Sequence, residues 1–337
     1  MKRSLFLLFI LSAVIAQAQK VYSTKQPLVH TFSIVARDEK TGDMAIAVQS
    51  HWFGVGTTVP WAEAGVGAVA TQSFVDKSYG PRALALLRKG YTAQEALDSL
   101  TKIDSGRQLR QIAIIDSKGN VAAHTGKNCI QVAKHVKGRG FSVQSNMMLS
   151  DSVCEYMAKA YEHSAGKPFV ERILLALEAA QKAGGDIRGM QSAALTVVPG
   201  RIMESWNNKT VDLRVDDSSQ PLQELRRLYM VQLAYEHMNS GDLAYEQMHN
   251  TNLATDKNDI NAAMSEYNAA MKLFPGNLEM QYWTAITLAN NKQMGKALLM
   301  LKYVFNTDNN WKELTKRLPP AGLLTVSDDD LKKILSL

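Results

Sequence analysis

Between His30 and His51 the apolar positions run almost unbroken in two blocks, Thr31 to Arg37 and Met44 to Ser50, divided by the polar stretch Asp38-Glu-Lys-Thr-Gly-Asp. Short runs rich in Val, Ile and Ala, bounded by Gly and Asp, predict a hairpin buried on both faces, not a helix. Thr31 opens the first strand, so a hydroxyl stands at the mouth of the sheet, although β-propensity alone also suits threonine there. Further strands are expected at Gly65 to Ser73, Gln108 to Ile115, Val121 to His124, Gly140 to Asn146, Ala193 to Val198 and Val211 to Val215. Helical spacing falls between them in pairs. Pro81 to Lys89 and Ala93 to Leu100 form one pair, with Thr92 placed to cap the second helix, and Ser152 to Tyr161 and Pro168 to Lys182 form the other. Hairpins with paired helices predict largely antiparallel sheets covered on their outer faces, an α+β class.

After Pro221 the pattern becomes continuously helical. Ala263, Tyr267, Ala270 and Pro275 recur as Ala297, Leu301, Val304 and Asn309, a 34-residue offset that matches the tetratricopeptide period. The organisation expected is therefore a sheet domain over residues 31–220 and an all-α, tetratricopeptide-like region over 221–337. That tail reads either as a helical cap or as a groove for a peptide or protein partner.

The first residues alter the picture of the mature chain. Lys2 and Arg3, the apolar run Leu5 to Ala16 and the small-x-small site Ala16-Gln17-Ala18 form an export signal over residues 1–18, leaving a leader over 19–30. A secreted or periplasmic bacterial protein is expected. No later run approaches the ~18 apolar residues that spanning a membrane requires. The formal charge of +6 includes Lys2 and Arg3, and the remainder is dispersed, so nucleic acid is not an expected partner. Cys129 and Cys154 are too few for a disulfide framework and read as buried thiols. Histidine spacing offers no metal site, and Gly65-Val-Gly-Ala-Val-Ala has the letters of a dinucleotide loop without the helix that must follow it, so neither a metal nor a cofactor is expected.

Candidate chemistry gathers where strands end. Ser50 and His51 close the strand next to Thr31, so His51 is placed to orient or protonate a group there. Gln144 and Asn146 alternate along one strand and share a face, where a buried amide can donate to an oxyanion. Arg188 can grip a substrate carboxylate with two prongs or pair with Asp186 in its own loop. His124-Thr125-Gly126 reads as a turn.

The ordered blocks Thr31-Phe-Ser-Ile-Val-Ala-Arg-Asp, Gln49-Ser-His-Trp-Phe, Ser78-Tyr-Gly-Pro-Arg, Gly140-Phe-Ser-Val-Gln-Ser-Asn-Met-Met and Gly184-Gly-Asp-Ile-Arg-Gly-Met-Gln-Ser resemble the family catalogued as domain of unknown function 1028. The resemblance covers Thr31 to about Val215. It implies an N-terminal nucleophile (Ntn) hydrolase fold, a four-layer αββα sandwich, in which the residue opening the first strand becomes the chain's N-terminus and attacks an amide. Thr31 is the matching position. Its freed α-amine, titrating near ~8, would serve as base. Because twelve residues separate Ala18 from Thr31, a second cut at His30-Thr31 is required. Where proteasome-like relatives carry a lysine, this chain has Thr71, Gln72 and Ser73. The resulting expectation is an amide hydrolase with Thr31, His51 and Asn146 as catalytic residues and Ser50, Thr71, Ser73, Gln144 and Arg188 around a small amide or peptide-like substrate. The alternative is an inactive binding protein whose tail recognises a peptide or protein, and homo-oligomerisation stays open for both.

Overall fold

The computed structural model describes residues 28–29, 31–250 and 260–337. The expected export signal and most of the expected leader lie outside the described residues. The chain divides into two compact units, one ending at Arg226 and one comprising Arg227–Leu337. This places the division six residues beyond the start of the helical texture, inside a helix that opens with Pro221.

The first unit contains eleven described strands: β1 (Leu28–Val29), β2 (Thr31–Arg37), β3 (Met44–Ser50), β4 (Pro60–Glu63), β5 (Gly67–Phe74), β6 (Arg110–Asp116), β7 (Val121–Thr125), β8 (Lys134–Gly138), β9 (Phe141–Ser145), β10 (Ser192–Val198) and β11 (Val211–Val215). Its helices are α1 (Tyr79–Arg88), α2 (Ala93–Ile103), α3 (Val153–His163) and α4 (Phe169–Lys182), followed by the start of α5 (Pro221–Asn250). All strand pairs are antiparallel, in one sheet ordered β1-β5-β6-β7 with β4 also on β5, and another ordered β11-β10-β3-β2-β9-β8. Both predicted hairpin strands form as read. Asp38 fixes their turn by accepting from the Lys40 and Thr41 N–H groups at 2.8 and 3.0 Å.

The two sheets face each other through one side of each strand. Val35, Met44, Ile46 and Val48 from one sheet meet Ala68, Ala70, Ala113 and Ile115 from the other in a single apolar cluster. The opposite face of the β5-β6-β7 sheet carries Val69, Ile112, Ile114 and Ala122, which pack with α1 and α2. α3 and α4 lie against the outer face of the second sheet, where Phe141 meets the Tyr161 ring at 4.7 Å. Thr92 caps α2 as expected, in a reciprocal box with Glu95 that accepts the Thr92 N–H at 2.8 Å.

β4 covers the first half of the free edge of β5, and β1 continues along it, with Leu28 opposite Phe74 and Val29 opposite Ser73. Leu28 and Val29 thus form a strand, and Val29 is buried in the inter-sheet core.

The second unit holds the rest of α5 with α6 (Asn261–Leu273), α7 (Leu278–Asn290), α8 (Met294–Thr307), α9 (Asn310–Thr315) and α10 (Asp328–Leu335). Ala263, Tyr267 and Ala270 and their partners 34 residues on, Ala297, Leu301 and Val304, are all buried. Trp283 belongs to α7 and packs beside Tyr282, ring centroids 5.1 Å apart. α9 stops after six residues, and Pro319 and Pro320 follow within a turn. No helix among the described residues is long and apolar enough to cross a membrane.

Candidate functional site

Because β2 faces the opposite sheet with its odd-numbered residues, the parity that buries Val35 also turns Ser33 and Thr31 inward. At that level the register sets Thr31 opposite Ser50, and Ser50 opposite Ser192. Across the gap, Gln72, Gln111 and Thr125 stand side by side on β5, β6 and β7. The inter-sheet layer, apolar beside the hairpin turn, is therefore hydroxyl and amide at its other end.

These groups form one hydrogen-bonded network. Ser33 Oγ donates to Gln72 Oε1 at 2.6 Å and accepts from Gln144 Nε2 at 2.6 Å. Gln72 Nε2 reaches Gln111 Oε1 at 2.7 Å and the Thr31 carbonyl at 3.3 Å. Asn146 donates its side-chain amide to Gln111 Oε1 at 2.9 Å and its main-chain N–H to the Thr31 carbonyl at 3.1 Å. Gln111 Nε2 donates to Thr125 Oγ1 and to the Lys134 and Ser145 carbonyls at 2.9–3.2 Å. Thr31, Ser33, Ser50, Gln72, Gln111, Gln144 and Asn146 are all fully buried. A buried amide left unpaired would cost about 1–3 kcal/mol, so the pairing holds these side chains in one arrangement.

The Thr31 hydroxyl has one proton to give, and its acceptors are the Val29 carbonyl at 3.1 Å and Ser50 Oγ at 3.4 Å. This oxygen belongs to a fully buried residue, 0 % exposed. Ser50, not His51, reaches it. The main-chain N–H of His51 is held by the Asp186 carboxylate at 3.2 Å, and its ring Nδ1 is buried without a hydrogen-bond partner. Arg188 takes the ion-pair alternative, closing on both Asp186 oxygens at 3.0 and 2.7 Å. Thr71 points away from Gln72 and gives its hydroxyl to the Asp76 carbonyl at 3.4 Å. Gln144 is enclosed within the network, bonded to Ser33 and Ser142.

Three side-chain-bearing residues at this end have left-handed backbones, Ser73 at φ 70°, Val132 at φ 56° and Met147 at φ 58°. Such a conformation strains a β-branched valine above all. Ser73 is the penultimate residue of β5, opposite Val29, Met147 follows Asn146, and the Val132 carbonyl accepts from the Met148 N–H at 3.4 Å. Buried Arg110 fixes the same corner, donating to the Phe74 carbonyl at 2.5 Å and to Asp104 at 2.9 Å. Burial works to raise the Asp104 carboxyl, yet hydrogen bonds from Arg110, the Gly106 N–H and Tyr79 hold it below the usual carboxylate range.

At the Thr125 end of the network, a cavity of about 410 Å³ is lined by Thr125, Cys129, Val132, Lys134 and His135. His124-Thr125-Gly126 is not the expected turn: His124 and Thr125 finish β7, and Thr125 Oγ1 bonds His135 Nδ1 at 2.8 Å. Burial pushes the His135 imidazole down and the Cys129 thiol up, while Cys154, packed on Ser145, is pushed up to about 11. Both cysteines are buried free thiols. Among the described residues no three His, Cys, Asp or Glu side chains come together as metal ligands would.

The model of a family of unknown function, DUF1028, matches residues 31–225. The chain belongs to DUF1028. The crystal structure of protein SPO2555 from Silicibacter pomeroyi, a DUF1028 protein, is similar at 32 % sequence identity and a TM-score of 0.54, covering 59 % of this chain and 84 % of that one. No curated protein matches the sequence. The DUF1028 match begins at Thr31, the residue that opens the polar end, and closes near the end of the first unit.

Gln72, Gln111 and Thr125 are the network members that the strand pattern did not single out. The available signal was parity. Gln72 continues the inward series Ala68, Ala70, and Gln111 begins the inward series Ala113, Ile115, so each sets an amide where an aliphatic side chain is expected.

Proposed function

We propose that this chain is an exported amide hydrolase of the N-terminal nucleophile type, seen here before release of its leader, with Thr31 as nucleophile. Support comes chiefly from the place of Thr31: it opens the inward face of β2 at the one end of the layer where hydroxyls and amides replace aliphatic side chains. The mixed α+β unit, with sheets face to face and helix pairs outside, suits the αββα sandwich of that superfamily.

Cleavage of His30-Thr31 would remove Val29, the acceptor that now holds the Thr31 hydroxyl, and create the amine that deprotonates it. The hydroxyl oxygen would then attack the substrate carbonyl carbon, and the amine would carry the proton to the leaving nitrogen. Water would release the acyl group by the same route. Ser50, 3.4 Å away, would position the hydroxyl. Asn146 would stabilise the oxyanion after giving up Gln111, and the neighbouring cavity of about 410 Å³ would admit a small amide or peptide-like substrate.

A panel of small amides and short peptides assayed with the wild type, Thr31→Ala and Thr31→Ser tests this reading. Turnover that Thr31→Ala abolishes and Thr31→Ser partly retains supports it. Equal turnover in all three contradicts it.

The second reading, a binding protein that keeps its leader, is favoured by Val29, which is paired with β5 and buried in the inter-sheet core. Its recognition surface would be the tetratricopeptide-like region, where a cavity of about 190 Å³ lies between Tyr235, Asp242, Glu279 and Trp283. Retained peptide binding in Thr31→Ala with no hydrolysis in the wild type favours this alternative.

A further inference from the structure

At the opposite end of β2 from Thr31, about 20 Å away along the strand, a cleft of about 290 Å³ opens between the β2–β3 turn, the β8–β9 turn and the α3–α4 connection. Four cationic side chains serve it, Lys40, Arg139, Lys167 and Arg172, against two carboxylates, Asp38 and Glu39; Arg37 borders it but turns its guanidinium inward, beside Gly42 and Gly119. The two carboxylates offset part of this charge: Glu39 pairs with Arg139 at 3.0 Å, and Asp38 keeps its charge while accepting from the turn's N–H groups, so a surplus of two positive charges (four minus two) is left. Among the described residues no carboxylate lies within ion-pair distance of Arg37, Lys40, Lys167 or Arg172.

One of these cations is also incompletely bonded: the Nε atom of Arg172 is buried without any acceptor. A buried charged donor left unmade is costly and calls for an explanation, and an acceptor arriving from outside is one. Arg172 is held ready for it. Its guanidinium lies 4.1 Å from the centroid of the Tyr161 ring, which is itself fixed against Phe141.

We infer that this cleft binds a doubly charged oxyanion of the phosphate-monoester type. Planar guanidinium forks match the oxygens of such a group, and a dianion answers a surplus that one carboxylate would leave half unbalanced. The volume suits a phosphate with a small organic group. The site stands apart from Thr31 and does not depend on the hydrolase reading.

Calorimetric titration of the full purified chain with phenyl phosphate, and with benzoate as a singly charged control at equal ionic strength, tests the assignment. Saturable binding at one site is expected, about tenfold or more tighter for phenyl phosphate. Arg139→Gln and Arg172→Gln should each weaken it by about tenfold, whereas Arg88→Gln and Thr31→Ala should leave it unchanged. Absence of saturable heat, equal affinity for benzoate, or affinity unmoved by the two arginine changes would each overturn the proposal. Should circular dichroism show that either arginine variant is unfolded, the double variant Lys40→Gln with Lys167→Gln, both exposed positions, takes its place. A several-fold loss then supports the site and unchanged affinity refutes it.

Discussion

Beside the hairpin turn, the layer between the two sheets is filled by Val35, Met44, Ile46, Ala68 and Ile115; at the other end the same strands, on the same inward face, present Thr31, Ser33, Ser50, Gln72 and Gln111. The apolar end is held by area removed from water, which is non-directional and tolerates volume-conserving exchange. The polar end has to satisfy each donor and acceptor individually, so it fixes strand register and side-chain orientation together. Left-handed backbones at Ser73, Val132 and Met147 gather at the polar end alone within the first unit. One end of the layer stabilises the fold, and the other holds groups where chemistry can use them.

That contrast can be broken most forcefully at its apolar side. Ile46→Ala empties a fully buried position and should cost about 2–5 kcal/mol in chemical denaturation, while a cost below about 1 kcal/mol would show that the layer collapses to fill the space. At the polar end Gln111→Ala removes the shared partner of Gln72 and Asn146. It should cost about 1–3 kcal/mol, and in a double-mutant cycle with Gln72→Ala the two losses should fall short of additivity. Strict additivity would mean that the amides act separately. Val132→Gly relieves a strained φ and should raise stability by about 0.5–1 kcal/mol while lowering any turnover. A loss of stability would show that the valine side chain matters more there than the backbone strain.

The smallest effect concerns acid. Asp104 is held below the ordinary carboxylate range in the folded chain, so its contribution is present above about pH 3.9 and is lost as pH falls through its lower native value. Asp104→Asn should flatten the acid limb of a melting-temperature profile. A limb as steep as that of the wild type would remove Asp104 as its source.

Much of the fold was legible because local pattern and tertiary demand agree. Thr31–Arg37 and Met44–Ser50 are buried on both faces, and uninterrupted Val, Ile and Ala announce this directly. β8, with Lys134, His135 and Lys137 at a sheet edge, shows no strand pattern, because edge strands carry charge and face solvent. β1 is too short for any period, and β4 opens on a proline. At the site, the position of Thr31 and the shared face of Gln144 and Asn146 followed from strand order and alternation. The meeting of Gln72 and Gln111 with Asn146 depends on how two sheets stack, which no local period encodes. His51 was placed by strand order, and Arg188 was read either as a carboxylate grip or as the partner of Asp186; Asp186 holds the main-chain N–H of the first and the guanidinium of the second.

Intact-mass measurement of the exported protein, after exposure to an electrophilic amide mimic, addresses Thr31 most directly. The account predicts a chain that begins at Thr31 and carries one covalent adduct. A stable chain that begins at Gln19, without adduct, would contradict it.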